Sequence, residues 1–279
     1  MAGQDGYNWI ADRAFEDLTS LKKHARLQGR VQEVRFFHTV ATGGAGASIE
    51  IEEKTGTTVT RLTTGNEGQV YIRAHTDNGA YEDKTITLSW LDEAGVVHDP
   101  VTTTLDDNAV TEVAVSGATD FYRPRPFYPY TNAVIQAGHT LSIGDDNHAN
   151  DGSGNDLWGV IEEGNYNSIH SRYYVPLEDS NGKAIYSYLA KMRAKYAGNQ
   201  KGDEDRQYAT LTVTCTPNAT GYQTTLPYRV YAGETFVWEE PFRLKAATDT
   251  IFTVADDAGD GGNFEFEYII VESTRIAPG

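Results

Sequence analysis

Cysteine, methionine and positive charge are what this chain has least of. The single Cys215 cannot close an intramolecular disulfide or build a zinc knuckle, so the fold rests on packing and hydrogen bonds. Lys and Arg number 23 against 40 Asp and Glu, a formal net charge of -17. That balance disfavours a sequence-independent grip on phosphate, and no nucleic-acid partner is expected. Hydrophobic residues make up 39% of 279 positions, and no run approaches the roughly 18 apolar residues of a membrane span. The opening ten residues also lack the basic then apolar pattern of a cleaved leader.

Catalytic signatures are missing too. There is no G-x-S-x-G elbow, no phosphate-binding glycine loop, no H-x-H and no H-E-x-x-H. The seven histidines, at 24, 38, 75, 98, 139, 148 and 170, are scattered, so each reads as satisfied or solvated rather than as a ligand or base. Cys215 alternates in register with Leu211 and Val213, which suits a small buried side chain better than a nucleophile. The chain is expected to have no catalytic residues, no hydrolase activity and no tight transition-metal site.

What is present points to β-structure. Only 2 Met accompany 17 Tyr, 10 Phe, 4 Trp and 27 Gly, in a chain visibly rich in Thr and Val. The first thirty residues are the exception. After Asn8, a plausible N-cap, Ile10, Ala14, Leu18, Leu21 and Ala25 recur at steps of three and four, and Gly29 supplies a stop. One amphipathic helix is expected there. Its apolar stripe docks either on the chain's own sandwich or on another subunit, and those five residues are the candidate assembly interface.

From Val34 the period changes to two: Val34, Phe36, His38 and Val40, then Ile49 and Ile51, then Val70, Ile72 and Ala74. Turn signals such as Asn78-Gly79 and Glu93-Ala94-Gly95 recur about every ten residues, as in an antiparallel sandwich. Three prolines between Phe121 and Tyr130 break the pattern and read as a domain boundary, with its aromatics packed between two domains. A second series of short strands follows from Asn132. Within it, Tyr188, Ala190, Met192, Ala194 and Tyr196 have helix-favouring composition but strand alternation, and the strand reading is preferred. The expected fold is mainly β: a helix over 1–30, a sandwich over 31–120, a linker over 121–131 and a jelly-roll-like sandwich over 132–279.

One loop carries chemistry above background. Between Asp145 and Asp156 oxygen donors are dense, and Asp151, Ser153, Asn155 and Glu162 fall at positions 1, 3, 5 and 12 of a calcium-loop spacing. Asp156 stands where that loop's sharp turn wants glycine, and the flanks read as strands. The alternatives are a Ca²⁺ site and an ordinary solvated turn.

Several phrases together resemble virion structural proteins of marine phages: Lys84 to Gly95, Val101 to Asp106, Phe121-Tyr122-Arg123, Gly154 to Ile161, Tyr173 to Pro176, Gly182 to Tyr186, and Phe242-Arg243-Leu244 followed by Thr248 to Ile251. The resemblance spans Lys84 to Glu272 and departs at the terminal helix and the insert near Asn199 to Arg206. It implies a virion β-sandwich protein and brings no catalytic residues with it. The expectation is a non-enzymatic virion component, assembled in the host cytoplasm, whose partners are itself, as a homo-oligomer, and other virion proteins. A lattice subunit, a decoration protein and a vertex or tail adaptor are its three possible positions. A carbohydrate- or receptor-binding module is the alternative, because jelly rolls carry sugars on aromatic faces.

Overall fold

A computed structural model describes residues 29–42, 47–51, 68–74, 81, 83–105, 113–145, 157–161, 163–168, 172–198, 207–217, 223–257 and 261–275. The proposed terminal helix with Ile10, Ala14, Leu18, Leu21 and Ala25 lies outside the described residues, as do Asp151, Ser153, Asn155 and Glu162. All regular elements among the described residues are strands, and no helix there is long and apolar enough to cross a membrane.

The chain divides into two compact units, one built from 1–53 with 171–279 and the other from 54–170. This differs from the tandem reading with its linker at 121–131, because the first strand does not close a sandwich with its sequence neighbours. That strand, β1 (Gly29–Thr42), pairs antiparallel along its whole length with the last strand of the chain, from Gly29 opposite Arg275 to Thr42 opposite Gly262. A second strand of this outer unit is β2 (Ser48–Glu50).

The inserted unit holds β3 (Tyr71–Ala74), β4 (Thr85–Leu88), β5 (Trp90–Leu91), β6 (Val101–Thr104), β7 (Val113–Ala114), β8 (Arg123–Pro124), β9 (Tyr130–Thr131), β10 (Leu141–Gly144) and β11 (Leu157–Ile161). They form sheets of order β11-β10-β3-β7, β6-β4-β9 and β5-β8. The core is one cluster that includes Val70, Ile72, Ile86, Leu88, Trp90, Phe121, Leu141, Ile143 and Trp158. Phe121 stacks on Trp158 with ring centroids 5.0 Å apart. The proline-rich segment therefore belongs inside this unit: Phe121 and Tyr122 are buried, Arg123 pairs with Leu91, and Pro124 pairs with Trp90. Arg123 is buried with its guanidinium 4.0 Å from the Tyr122 ring centroid and donates to the Tyr122 carbonyl. Prolines fit because the hydrogen bonds that dock the segment come from the Tyr122 and Arg125 N–H groups, to Leu91 and Ser89, and skip Pro124.

The outer unit resumes with β12 (Tyr173–Tyr174), β13 (Ile185–Ala197), β14 (Tyr208–Pro217), β15 (Thr224–Tyr231), β16 (Thr235–Trp238), β17 (Phe242–Arg243), β18 (Thr248–Asp256) and β19 (Gly262–Arg275). One sheet runs β1-β19-β13-β16, with β17 also on β13; the other runs β12-β18-β14-β15, with β2 also on β18. The two face each other through aromatic rings. Phe252 of β18 stacks on Tyr268 of β19 at 4.7 Å and tilts against Phe266 at 5.1 Å, while Phe36 of β1 stacks on Tyr268 at 5.2 Å.

Several polar groups caught between these layers are paired, which offsets the cost of burying them. Asp256 is 1% exposed and accepts from the Tyr196 hydroxyl at 2.7 Å and from Thr42 at 3.2 Å. Buried Glu272 accepts from the Tyr173 hydroxyl. Arg172 forks onto Glu50 at 3.0 and 2.7 Å and lies 3.8 Å from Asp249, tying β2 and β18 to the start of β12.

Candidate functional site

The inserted unit brings together three side chains that no short motif links. Trp90 and Leu91 open a hairpin whose turn is Asp92-Glu93-Ala94-Gly95. Gly95 takes a φ of 88°, a conformation glycine adopts without strain, and its N–H donates to the Asp92 carbonyl at 3.1 Å. The Asp92 carboxylate locks the same turn by accepting from the Val96 N–H at 2.8 Å through Oδ1. The returning strand then sets His98 across from Trp90, with the His98 N–H donating to the Trp90 carbonyl at 2.9 Å.

The third member arrives from a distant part of the unit. Phe121 exchanges backbone hydrogen bonds with Gly68 and the Tyr122 N–H donates to the Leu91 carbonyl, while the Ala118 carbonyl accepts from the Val70 N–H, which fixes the chain on either side of Asp120. Asp120 Oδ1 accepts from the Trp90 indole N–H at 2.9 Å. The Trp90 ring is thus a shared support, stacked on the His98 imidazole on its face and bonded to Asp120 at its edge.

Each carboxylate has one oxygen committed to an N–H donor and turns the other toward the same nitrogen. His98 Nε2 lies 3.3 Å from Asp120 Oδ2 and 3.6 Å from Asp92 Oδ2. The three ligating atoms fall within 4.8 Å of one another. The Nε2 atom is buried and makes no hydrogen bond of good geometry, while the three side chains are 19%, 28% and 36% exposed for Asp92, His98 and Asp120.

This arrangement concentrates negative charge around one imidazole nitrogen and suits a cation. It does not suit nucleophile activation, where a carboxylate holds one imidazole nitrogen and the other faces a hydroxyl or thiol. Here both carboxylates address Nε2, and the neighbouring Ser89 hydroxyl is committed to the His98 carbonyl at 2.7 Å.

The other described histidines divide. His139 Nδ1 is 3.0 Å from the Tyr81 hydroxyl and is satisfied, as expected. His38 is not solvated: its Nε2 is buried without a hydrogen bond, and burial pushes its pKa down. Cys215 is half-buried, with Sγ 3.9 Å from Thr250 Oγ1, and burial pushes its thiol pKa up, away from thiolate reactivity. The reading of His98 as satisfied or solvated does not describe its Nε2, which is buried without a hydrogen bond and faces Asp92 and Asp120. The available signal was the Asp92 to Gly95 turn, which sets positions 92 and 98 on facing arms of one hairpin. Asp120 carried no comparable local signal.

No family model matches the chain, and no curated protein matches it. Similar solved structures include the Clostridium thermocellum xylanase 10B CBM22-1 and GH10 modules complexed with xylohexaose, at 13% identity over 77% of this chain and 30% of that one, with a TM-score of 0.22. A structure of infectious bursal disease virus, Gt strain, matches at 11% identity over 88% and 73%, with a TM-score of 0.24. The mavirus penton protein matches at 8% identity over 87% and 99%, with a TM-score of 0.15. Viral capsid proteins and a carbohydrate-active enzyme thus both stand among the structural neighbours, at scores that carry no argument for either. The chain spans less than a third of the xylanase chain.

Proposed function

We propose that this protein is a non-enzymatic structural component of a virion that works by association with copies of itself and with other virion proteins. The observation that carries the reading is the edge of the outer unit. β1 is 14 residues long, pairs only with β19 among the described residues, and presents Phe37 at 64% exposure on its outward face. A long edge strand with an exposed aromatic is a template for pairing with another chain, a liability that monomeric β-proteins suppress with charge, proline or short edges. A second copy of this chain is the occupant proposed.

The resemblance of the phrases between Lys84 and Glu272 to phage virion proteins points the same way. The net charge of -17 suits an outer surface better than a wall facing packaged nucleic acid. A lattice subunit, a decoration protein and a vertex or tail adaptor all remain within the proposal. Negative-stain electron microscopy of the purified chain, beside Phe37→Glu, tests it. Ordered oligomers that the substitution disperses support the reading; dispersed single particles in both samples speak against it.

The alternative, a carbohydrate- or receptor-binding module, draws on a half-buried ring cluster across β15, β16 and β17. Tyr228 lies 5.1 Å from Phe236 and 5.2 Å from Trp238, which lies 5.8 Å from Phe242. The rings are inclined by 39°, 77° and 74°, an interlocked arrangement rather than the flat platform that stacks on a sugar. A glycan array with binding lost in Trp238→Ala would favour this reading over assembly.

A further inference from the structure

We propose that Asp92, His98 and Asp120 form a binding site for one divalent transition-metal ion, with Zn²⁺ the best fit. The donors are His98 Nε2, Asp92 Oδ2 and Asp120 Oδ2, and water completes the shell.

The first argument is spacing. Tetrahedral zinc with bonds of about 2.0–2.1 Å sets neighbouring donors roughly 3.3–3.4 Å apart. The two imidazole-to-carboxylate separations are 3.3 and 3.6 Å, close to that spacing, while the two carboxylate oxygens are held to within 4.8 Å of each other and would draw together on an ion. The second argument is the donor set. One imidazole and two carboxylates suit zinc or manganese, whereas Ca²⁺ and Mg²⁺ favour oxygen shells.

The third argument is the supporting layer. Metal ligands are held by second hydrogen bonds that fix their orientation. Here Trp90 Nε1 holds the far oxygen of Asp120, the Val96 N–H holds the far oxygen of Asp92, and the Trp90 ring lies flat against His98. These contacts leave one oxygen of each carboxylate and the buried, non-hydrogen-bonded Nε2 converging on one point. A bound ion would clip the 90–98 hairpin to the segment carrying Asp120, both within the inserted unit.

The test uses the full chain stripped with chelator, then dialysed against Zn²⁺ and desalted. Elemental analysis and isothermal titration calorimetry with Zn²⁺, and separately with Ca²⁺, are run on the wild type, Asp92→Asn, Asp120→Asn and His98→Gln. The asparagine variants keep an oxygen for the Val96 and Trp90 donors, and circular dichroism confirms that each variant is folded. The expected result is one retained Zn²⁺ per chain, weakened about a hundredfold or more in every variant, with no comparable Ca²⁺ binding. No retained zinc, or zinc retained equally by wild type and folded variants, overturns the proposal and leaves the cluster as a structural contact between a histidine and two aspartates.

Discussion

The imidazole of His98 lies on the indole of Trp90 with centroids 4.8 Å apart and planes 5° from parallel. That contact joins two roles usually kept apart, since Trp90 is also a buried member of the inserted unit's core. Any change at Trp90 therefore reaches both packing and the Asp92/His98/Asp120 cluster. Trp90→Phe keeps a ring but removes the donor to Asp120. It should lower stability by about 1–3 kcal/mol, measured by urea denaturation, because the buried aromatic shrinks and the carboxylate loses its partner. An unchanged midpoint would show that the Asp120 hydrogen bond contributes nothing.

A side chain at Gly68 has no room. A Cβ there would sit 2.8 Å from the Trp158 ring, which is itself fixed by stacking on Phe121. Gly68→Ala should destabilise the protein by about 1–3 kcal/mol through overpacking, read as a lower thermal midpoint. Gly117→Ala is the contrasting control: nothing lies within 4 Å of its Cβ, but its φ of 85° makes the cost one of backbone strain.

Alkaline pH should unfold the outer unit. The Tyr196 phenol is held far above its ordinary value of 10.0, first by burial and then by its hydrogen bond to Asp256 and that residue's charge; burial does the same to Tyr268. A pKa raised in the folded state contributes stability that is complete below the unfolded value and is lost as pH climbs past it. Melting temperature is therefore expected to fall as pH rises above 10, and Tyr196→Phe should show a shallower fall from a lower starting point. Parallel profiles for wild type and variant would contradict this assignment.

On the acid side the sensitive group is His38. Burial lowers its pKa below the ordinary 6.5, so the unfolded chain takes up a proton before the folded one does. The stability it contributes is present above pH 6.5 and lost as pH falls through the depressed value. His38→Gln should flatten the part of the stability profile just below 6.5, measured by denaturation at stepped pH. A profile with unaltered slope would place the acid sensitivity elsewhere.

The Asp145 to Asp156 loop is expected to behave as a solvated turn. Thermal melts with chelator, with millimolar Ca²⁺ and with Mg²⁺ at equal ionic strength should coincide, in wild type and in Asp151→Ala. A Ca²⁺-selective rise lost in that variant would restore the calcium reading, with on the order of 3 kcal/mol at a hundredfold excess over the dissociation constant.

What could be read in the sequence followed local physics. The alternation of Met192, Ala194 and Tyr196 overcame their helical composition because every second residue faces a buried layer while Arg193 and Lys195 are exposed; Tyr188 and Ala190, across the register shift between Leu189 and Lys191, are buried on the same strand without that alternation. Leu157–Ile161 was visible as a short apolar run, and residues 158–161 are all buried. The pairing of β1 with β19 was not, since partners such as Thr42 and Gly262 are 220 residues apart and carry no mark of each other. The prolines between 121 and 130 misled because proline ends a central strand but not one docked through flanking N–H groups. At the candidate site, Asp92 and His98 were within reach of turn reasoning, whereas Asp120 is placed by the pairing of Phe121 with Gly68.

Self-association through the β1 edge is the claim on which the functional account rests, and sedimentation velocity of the full chain across nanomolar to tens of micromolar concentration tests it most directly. The account predicts concentration-dependent oligomers in the wild type and a shift of Phe37→Glu toward monomer with circular dichroism unchanged. A wild type that stays monomeric across the whole range, or oligomers indifferent to the substitution, would contradict it.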